Sequence, residues 1–303
     1  RNVLRGMIKE VIQEYKKNIF SLNSWKKLHK SIQALRQENY DVVFDLQGNC
    51  KSAVVTLLTR GKVKVGLGFH SGREWPNIIG TQRRFEVPKN MNIRLQHLYL
   101  MRRFFQDPST DEDFPGACFR IDAKQKKIVE TYLRQESLAQ AHLKVMVCPG
   151  SSWANKQLSV ETLSVFLGLI KERYGALFFL VWGSEQEQQY CESLQKKLIG
   201  GSLLIDKIDL PTWQYFMNQV DLVIAMDSSA LHLCGTTMTP SFSVFGPTSS
   251  AVFKPIGRLH DSFVGKCPYG RVFQKTCPVL RTCPTGACVR GILPHDLFRS
   301  FVR

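Results

Sequence analysis

Between Val223 and Thr248 the chain reads VIAMDSSALHLCGTTMTPSFSVFGPT, with Asp227, Ser228, Ser229 and His232 set between two apolar runs. A carboxylate, two hydroxyls and an imidazole at the start of a short helix, just past a buried strand, make a place to hold an anion. The first amides of a helix have no intrahelical partner and carry its partial positive charge. The same chemistry recurs at Gly150-Ser151-Ser152, Trp182-Gly183-Ser184, Lys207-Ile208 and Gly246-Pro247-Thr248. Small hydroxyl residues in such turns expose backbone N–H groups and add side-chain donors, which suits a diphosphate. Lys156, six residues into the first of these loops, brings a cation to the same anion. Asp227 would repel a phosphate. It is read as capping the helix that carries Leu231 and His232, or as orienting a hydroxyl or amide. His232 lies about one turn into that helix, as a donor to a phosphate or sugar oxygen or as a satisfied buried histidine.

These loops follow apolar runs that read as strands: LKVMVCPGSS, ALFFLVWGS, GSLLIDKIDL, DLVIAMD and TPSFSVFGP. Helical segments alternate with them. Leu163, Phe166, Leu167 and Ile170 recur behind Ser159 as an N-cap, and Pro211 opens a helix with Trp213, Phe216, Met217 and Val220 on one face. Continuous apolar strands between amphipathic helices predict a doubly wound parallel sheet covered on both faces. Ligands bind such sheets outside the carboxyl ends of the strands. The amino half offers YDVVFDLQG and VKVGLGF as strands, with CKSAVVTLLTR between them as a helix. Before Tyr40 there is only basic helical sequence, with Trp25, Leu28, Ile32 and Leu35 along one face. A doubly wound domain opens on a buried strand running into a small-residue turn. The expectation is therefore a first domain lacking its opening strand, in a chain incomplete at its start. The predicted division is residues 1–138 and 139–303, in the polar stretch Gln135–His142.

At 303 residues a two-domain chain is expected. No apolar run reaches the roughly 18–20 residues of a membrane-crossing helix. The start carries no signal-peptide core, so a cytoplasmic location is expected. The balance of 41 basic to 25 acidic residues, +16 net, calls for an anionic partner: nucleic acid, a membrane face or a phosphorylated substrate. A nucleic-acid binder would interleave aromatics with its basic residues or carry a recognisable module, and the sequence does neither. A G-x-G-x-x-G after the first strand and a G-x-x-x-x-G-K-[ST] are both missing, which argues against a dinucleotide dehydrogenase and a P-loop NTPase. Of nine cysteines, Cys50, Cys118, Cys148, Cys191 and Cys234 read as core packing. Cys267, Cys277, Cys283 and Cys288 crowd into CPYGRVFQKTCPVLRTCPTGACVRG, separated by nine, five and four residues. Those spacings lack the paired C-x₂-C of structural zinc sites, and free thiols are expected.

Taken together the loops resemble glycosyltransferase family 9, the ADP-heptose:lipopolysaccharide heptosyltransferases, whose GT-B fold has two facing Rossmann-like domains. YDVVFDLQGNCKSA resembles the family's first-domain motif, and GFHSGREWP its S-x-RE-P loop. PGSSWANKQLS resembles its phosphate loop, VWGSEQE the loop after the second strand, MDSSALHL its D-[ST]-G-x-x-HL motif, and FGPT closes the set.

The resemblance implies roles. Ser151, Ser152, Lys156, Ser228, Ser229 and Ala230 match positions that hold the donor diphosphate, with His232 close by. Trp182 and Gly183 belong to the turn before Glu187, which matches a carboxylate on the nucleotide ribose. Ile208 matches a residue packing on adenine, and Asp227 the acidic residue that anchors the donor heptose or its loop. Lys51 and Arg73 match positions facing the acidic lipid-linked acceptor. The implied reaction is an inverting transfer from ADP-heptose without metal or cofactor, with Lys156 stabilising the leaving diphosphate. The implied acceptor is the lipopolysaccharide inner core, either Kdo-lipid A or a heptosylated form. The implied place is the inner face of the inner membrane, in peripheral contact with anionic lipid. Two departures stand out. The family's catalytic aspartate follows the opening strand that this sequence does not supply, and Asp45, inside the DLQG strand motif, is no substitute. Ser229 stands where the family usually has glycine. A family member that binds nucleotide-sugar without catalysing transfer is the alternative.

Overall fold

The computed structural model describes residues 22–88, 90–109, 116–135 and 141–303. The chain forms two compact units, divided after Glu112.

In the first unit, α1 (Leu22–Gln37) leads into β1 (Tyr40–Asp45), α2 (Cys50–Leu58), β2 (Gly61–Leu67), a 3-10 turn (Trp75–Gly80), β3 (Arg83–Phe85) and α3 (Ile93–Phe105). The strands form one parallel sheet in the order β1-β2-β3. Val65, Leu67 and Leu100 are its buried centre. Along α1, Ile32 and Leu35 are half-buried as the apolar face requires. The side chains of Trp25 and Leu28, and the expected opening strand before Leu22, lie outside the described residues. Asn49 starts α2 through a capping box with Ser52. Just before it, Gly48 turns at φ 65°, where a Cβ would press on Leu67 and the Arg73 amide. Only glycine takes that turn without strain. Buried Asp45 accepts from the amides of Gln47 and Gly48 and from Asn77 Nδ2 at 2.6 Å. Its carboxylate anchors the loop.

The second unit opens with α4 (Ala123–Leu133) and then alternates strand and helix: β4 (Leu143–Cys148), α5 (Val160–Tyr174), β5 (Ala176–Leu180), α6 (Glu185–Lys197), β6 (Ser202–Leu204), α7 (Leu210–Met217), β7 (Leu222–Met226), α8 (Ser229–Cys234), β8 (Ser241–Phe245), α9 (Ser250–Phe253) and β9 (His260–Val264). Two short helices follow, α10 (Ala287–Arg290) and α11 (Pro294–Phe301). All six strands are parallel, in the order β6-β5-β4-β7-β8-β9. Both sheet faces are covered, which is why the strands are apolar on alternate and intervening positions alike. Phe166, Phe178 and Leu163 fill one side; Phe179, Phe216 and Phe245 fill the other. Each such buried side chain is worth about 1.5–3 kcal/mol of transfer free energy. Ser159, Ser184 and Asp209 cap α5, α6 and α7, and Gly175 ends α5 in the left-handed region at φ 59°. On α7, Phe216, Met217 and the nearby Val220 are buried and Trp213 half-buried, as the spacing predicts.

The expected division at 138/139 is corrected: it falls inside the second unit. Helix α4 belongs there because Val129 is buried in that unit's core and Tyr132 stacks on Phe216 with centroids 6.1 Å apart. The Tyr132 hydroxyl donates to Asp206 Oδ2 at 2.8 Å. Ahead of α4, Gln214 accepts from the Phe119 amide and donates to the Ala117 carbonyl. Polar composition at Gln135–His142 is thus no guide to where packing changes partner.

His260 is buried on β9 with Nδ1 2.9 Å from Ser241 Oγ. Burial first, and then Lys254, hold its imidazole below the ordinary 6.5. Desolvation first lowers the pKa of His232 as well, opposed by Asp227 and reinforced by Lys156, although the residue keeps an exposed face. The unfolded chain then binds protons that the folded one rejects, so stability falls as pH drops from about 6.5 toward the lowered folded values. Carboxylates held low in the fold, such as Asp209, lose their contribution only at lower pH. The thermal midpoint should therefore decline between about pH 7 and pH 5.5, and His260→Asn should flatten that decline in a scanning calorimeter.

Candidate active site

Strands β4 and β7 lie side by side at the centre of the sheet, with Cys148 opposite Ala225. The strand order reverses between them, and the crevice outside such a pair is where doubly wound sheets bind ligands. The chain leaves β4 through Gly150-Ser151-Ser152 into a short 3-10 turn, Ala154–Lys156, and leaves β7 directly into Asp227. These two exits meet. Lys156 Nζ lies 2.6 Å from Asp227 Oδ2, with side chains only 13% and 7% exposed. Thr248, from the loop after β8, donates its hydroxyl to the same oxygen. A carboxylate with two donors, one of them charged, is held more strongly than one capping a helix. Asp227 accordingly does not cap α8, contrary to that sequence expectation. Ser228 occupies the N-cap position without a side-chain cap bond, which leaves the first amides of α8 to other partners. Ser229 is exposed, Ala230 is buried and His232 is exposed one turn on.

Glu187 is drawn to its own helix start. Its carboxylate accepts from the amides of Gly183 at 2.8 Å and Ser184 at 3.2 Å, completing a capping box. It also overlies Gly150, where a Cβ would collide with it, so the first two loops share this carboxylate. Trp182 donates its indole N–H to the Ile205 carbonyl at 2.8 Å, and Ile208 packs half-buried against the core. Ser151 and Ser152 flank the turn, with the Ser151 carbonyl held by Gln157 Nε2 at 3.0 Å.

In the first unit the strand ends bring Lys51 and Arg73 to one carboxylate. Glu74 accepts from the Cys50 amide at 2.8 Å, and the Arg73 and Glu74 amides both bond the Gly48 carbonyl. The Cys50 thiol and amide hold Glu74 below the ordinary carboxylate range, and Arg73 and Lys51 add to this. Both cations are exposed.

One part of the site was not anticipated. The cysteine segment after β9 braces the two loops that meet on Asp227. Asn155 donates to the Leu280 carbonyl, Arg290 to the Ala154 carbonyl at 3.3 Å, and the Arg281 guanidinium lies over the Trp153 ring at 5.6 Å. On the other loop, Thr248 bridges Thr276 and the Cys277 amide bonds the Pro247 carbonyl at 2.8 Å. The sequence signals only a Pro- and Cys-rich loop here, since its partners on the Lys156 turn lie more than a hundred residues away. Among the described residues no group of three or more His, Cys, Asp or Glu is placed to hold a metal ion.

Residues 28–282 match the model of glycosyltransferase family 9 (heptosyltransferase). The chain belongs to glycosyltransferase family 9. Among its relatives, lipopolysaccharide heptosyltransferase 1 of Campylobacter coli is 27% identical over 240 residues, covering 74% of this chain and 67% of that protein. The solved E. coli heptosyltransferase WaaC with ADP aligns at a TM-score of 0.66 and 19% identity, over 96% of this chain and 81% of that one. WaaC with ADP-2-deoxy-2-fluoro heptose aligns at 0.65 and 21%, over 84% and 75%. The family 9 chain is thus a glycosyltransferase with the α/β GT-B fold expected from its sequence. Among its described residues no helix is long and apolar enough to cross a membrane.

Proposed function

We propose that this family 9 enzyme transfers a heptose from ADP-heptose to the lipopolysaccharide inner core, with inversion at the anomeric carbon. The Lys156–Asp227 pair at the carboxyl ends of β4 and β7 carries the reading. A lysine ammonium has three donors. One is engaged by Asp227, which fixes the ammonium in place and leaves the others for a diphosphate. Asp227 takes both bonds on Oδ2, so Oδ1 is the oxygen offered to a hydroxyl of the donor heptose. A charge positioned in advance needs no reorganisation as the leaving group develops its own.

Ser151, Ser152, Ser228, Ser229, the Ala230 amide and His232 complete the diphosphate site. Glu187 takes the ribose hydroxyls, beside Trp182 and Gly183, and Ile208 packs on adenine. Lys51 and Arg73 hold the phosphates and carboxylates of the acceptor, Kdo-lipid A or its heptosylated form. The +16 charge draws the protein to the anionic inner face of the membrane where that acceptor lies. The acceptor hydroxyl loses its proton to a base and attacks the anomeric carbon. The bond to the diphosphate oxygen breaks and ADP departs with the electron pair. Support comes from the family, from relatives named for this reaction, and from the solution of WaaC with ADP and with a fluoro-heptose analogue.

Calorimetric titration tests it. ADP and ADP-heptose should bind while UDP and GDP do not. A folded protein that binds none of the four sinks the donor site. Binding of ADP-heptose with no transfer to Kdo-lipid A or to its heptosylated form would reduce the protein to a nucleotide-sugar binder.

A further inference from the structure

Two neighbouring elements of the first unit are built inside out. Helix α2 buries Ala53 and Thr56 and turns Val54 and Leu57 outward, each about half exposed. The 3-10 turn at Trp75–Gly80 buries Asn77 and Gly80 and leaves Trp75 and Ile79 each 64% exposed. We propose that this face seats the first unit on an anionic lipid surface, with Trp75 and Ile79 entering the boundary between headgroups and acyl chains.

The inversion has a local cause. Asn77 is drawn inward because its Nδ2 donates to Asp45 Oδ2 and to the Asn49 carbonyl. Gly80 lies on the Ala53 backbone, where a Cβ would come within 2.8 Å of the Ala53 Cα. Small and polar groups therefore make the seam between the two elements. The large apolar residues beside that seam, Val54 and Ile79, are left facing water. A cluster of this kind, rimmed by polar residues, marks a surface that something covers.

Charge says what covers it. Between Leu46 and Phe85 the chain has seven Lys or Arg and one acidic residue, Glu74. Only Lys62 of the seven is spent on an ion pair, with Asp41. Lys51 stands one turn before Val54, Arg60 three residues past Leu57, and Arg73 two residues before Trp75. Lys64 Nζ is held on the Leu57 carbonyl at 2.9 Å and Arg84 on the Ile78 carbonyl at 2.8 Å, which fixes both cations at the edge of the apolar residues. Anionic headgroups attract such a rim, and tryptophan favours the interface because its ring is apolar and its N–H polar. Nucleic acid would take the cations but leave Val54, Leu57 and Ile79 in water. A second copy would bring like charges face to face. The inference rests on the membrane part of the function proposed above and assigns that contact to named residues.

Cosedimentation of the full chain with vesicles tests it. The chain should pellet with vesicles of phosphatidylethanolamine and phosphatidylglycerol and stay in solution with phosphatidylcholine alone. Trp75→Ser combined with Ile79→Ser should weaken the anionic binding by at least about tenfold. Arg60→Gln should weaken it by about fivefold, the effect of one cation near such a surface, whereas Lys126→Gln on α4 should change it by less than about twofold. Trp75→Phe should keep most of the binding and remove the blue shift that vesicles induce in tryptophan emission. All these side chains are exposed, so the melting temperature should stay that of the parent. Four results overturn the assignment: no binding to anionic vesicles, equal binding to both kinds, binding that the Trp75 and Ile79 double substitution leaves intact, or equal losses from Arg60→Gln and Lys126→Gln. The vesicles hold neither ADP-heptose nor a sugar acceptor, so this inference and the transfer reaction fail separately.

Discussion

Lys156→Ala should lower kcat for heptose transfer by about 100- to 1,000-fold, the typical loss when one preorganised donor to a developing charge is removed. The magnitude follows from where the ammonium sits. It is 13% exposed and fixed on Asp227 at 2.6 Å, so water replaces it poorly and cannot be oriented in its place. Most of the loss should fall on kcat rather than KM, because in the proposed reaction the charge that Lys156 meets is largest as ADP departs. The substitution also strips Asp227 of its cation while Thr248 remains. Some stability is therefore lost as well, and it must be separated from the catalytic effect. Asp227→Asn in the Lys156→Ala background does this: it relieves the uncompensated carboxylate but restores no charge for the diphosphate. Melting temperature should recover in the double variant while kcat does not. A single variant with kcat within about threefold of the parent would end the leaving-group role.

Gly265→Ala should cost about 2–3 kcal/mol of stability, a fall of roughly 5–10 °C in the melting temperature of a unit this size. Gly265 is buried just past β9, and a Cβ there would run into the Cys288 carbonyl oxygen and approach Ile292 Cδ1 to 2.9 Å. The obstacle is the backbone of α10, which cannot rotate aside as a side chain can. Relief requires moving α10, and with it Arg290, which bonds the Ala154 carbonyl, and Gly286, which packs on Asn155. ADP affinity should fall alongside stability. Gly168→Ala is the matched control. It lies within α5 at ordinary φ with open space around it, so replacing glycine in a helix should stabilise by about 0.5–1 kcal/mol. Equal melting temperatures for the two variants would refute the steric argument.

The strands that build the site were legible because their residues carry the signal themselves. ALFFL and LVIAM are apolar throughout, and LKVMVC and SFSVF are mostly so, as a sheet covered on both faces demands. The loops between them were legible as chemistry, since serine, glycine and lysine at strand ends have few other uses in combination. What stayed hidden was set by partners far along the chain. Strand β9 reads HDSFV, an edge strand too polar to stand out, and helix α11 at Pro294–Phe301 was not anticipated. That helix proves to seat Phe301 against Phe166, Tyr174 and Phe242. The partnership of Asp227 with Lys156 and Thr248 joins three separate loops, and no local pattern could rank it above helix capping. The domain division failed for a similar reason: Val129 and Tyr132 look like any amphipathic helix until the core they enter is known.

The bracing of the Lys156 turn by residues 280–290 bears on how the protein is made. Asn155 and Ala154 wait for partners 125 and 136 residues downstream. Contacts of such sequence separation form slowly, because chain entropy must be surrendered before they repay it. During synthesis, β4 to β8 emerge and pair while the turn beside them is held only by the Gln157–Ser151 bond and the Asp227 ion pair. The outer brace of the Lys156 turn is complete only after the cysteine segment has been translated. A nascent chain stalled before Leu280 would therefore carry its sheet and the Lys156–Asp227 pair without the outer brace on the turn.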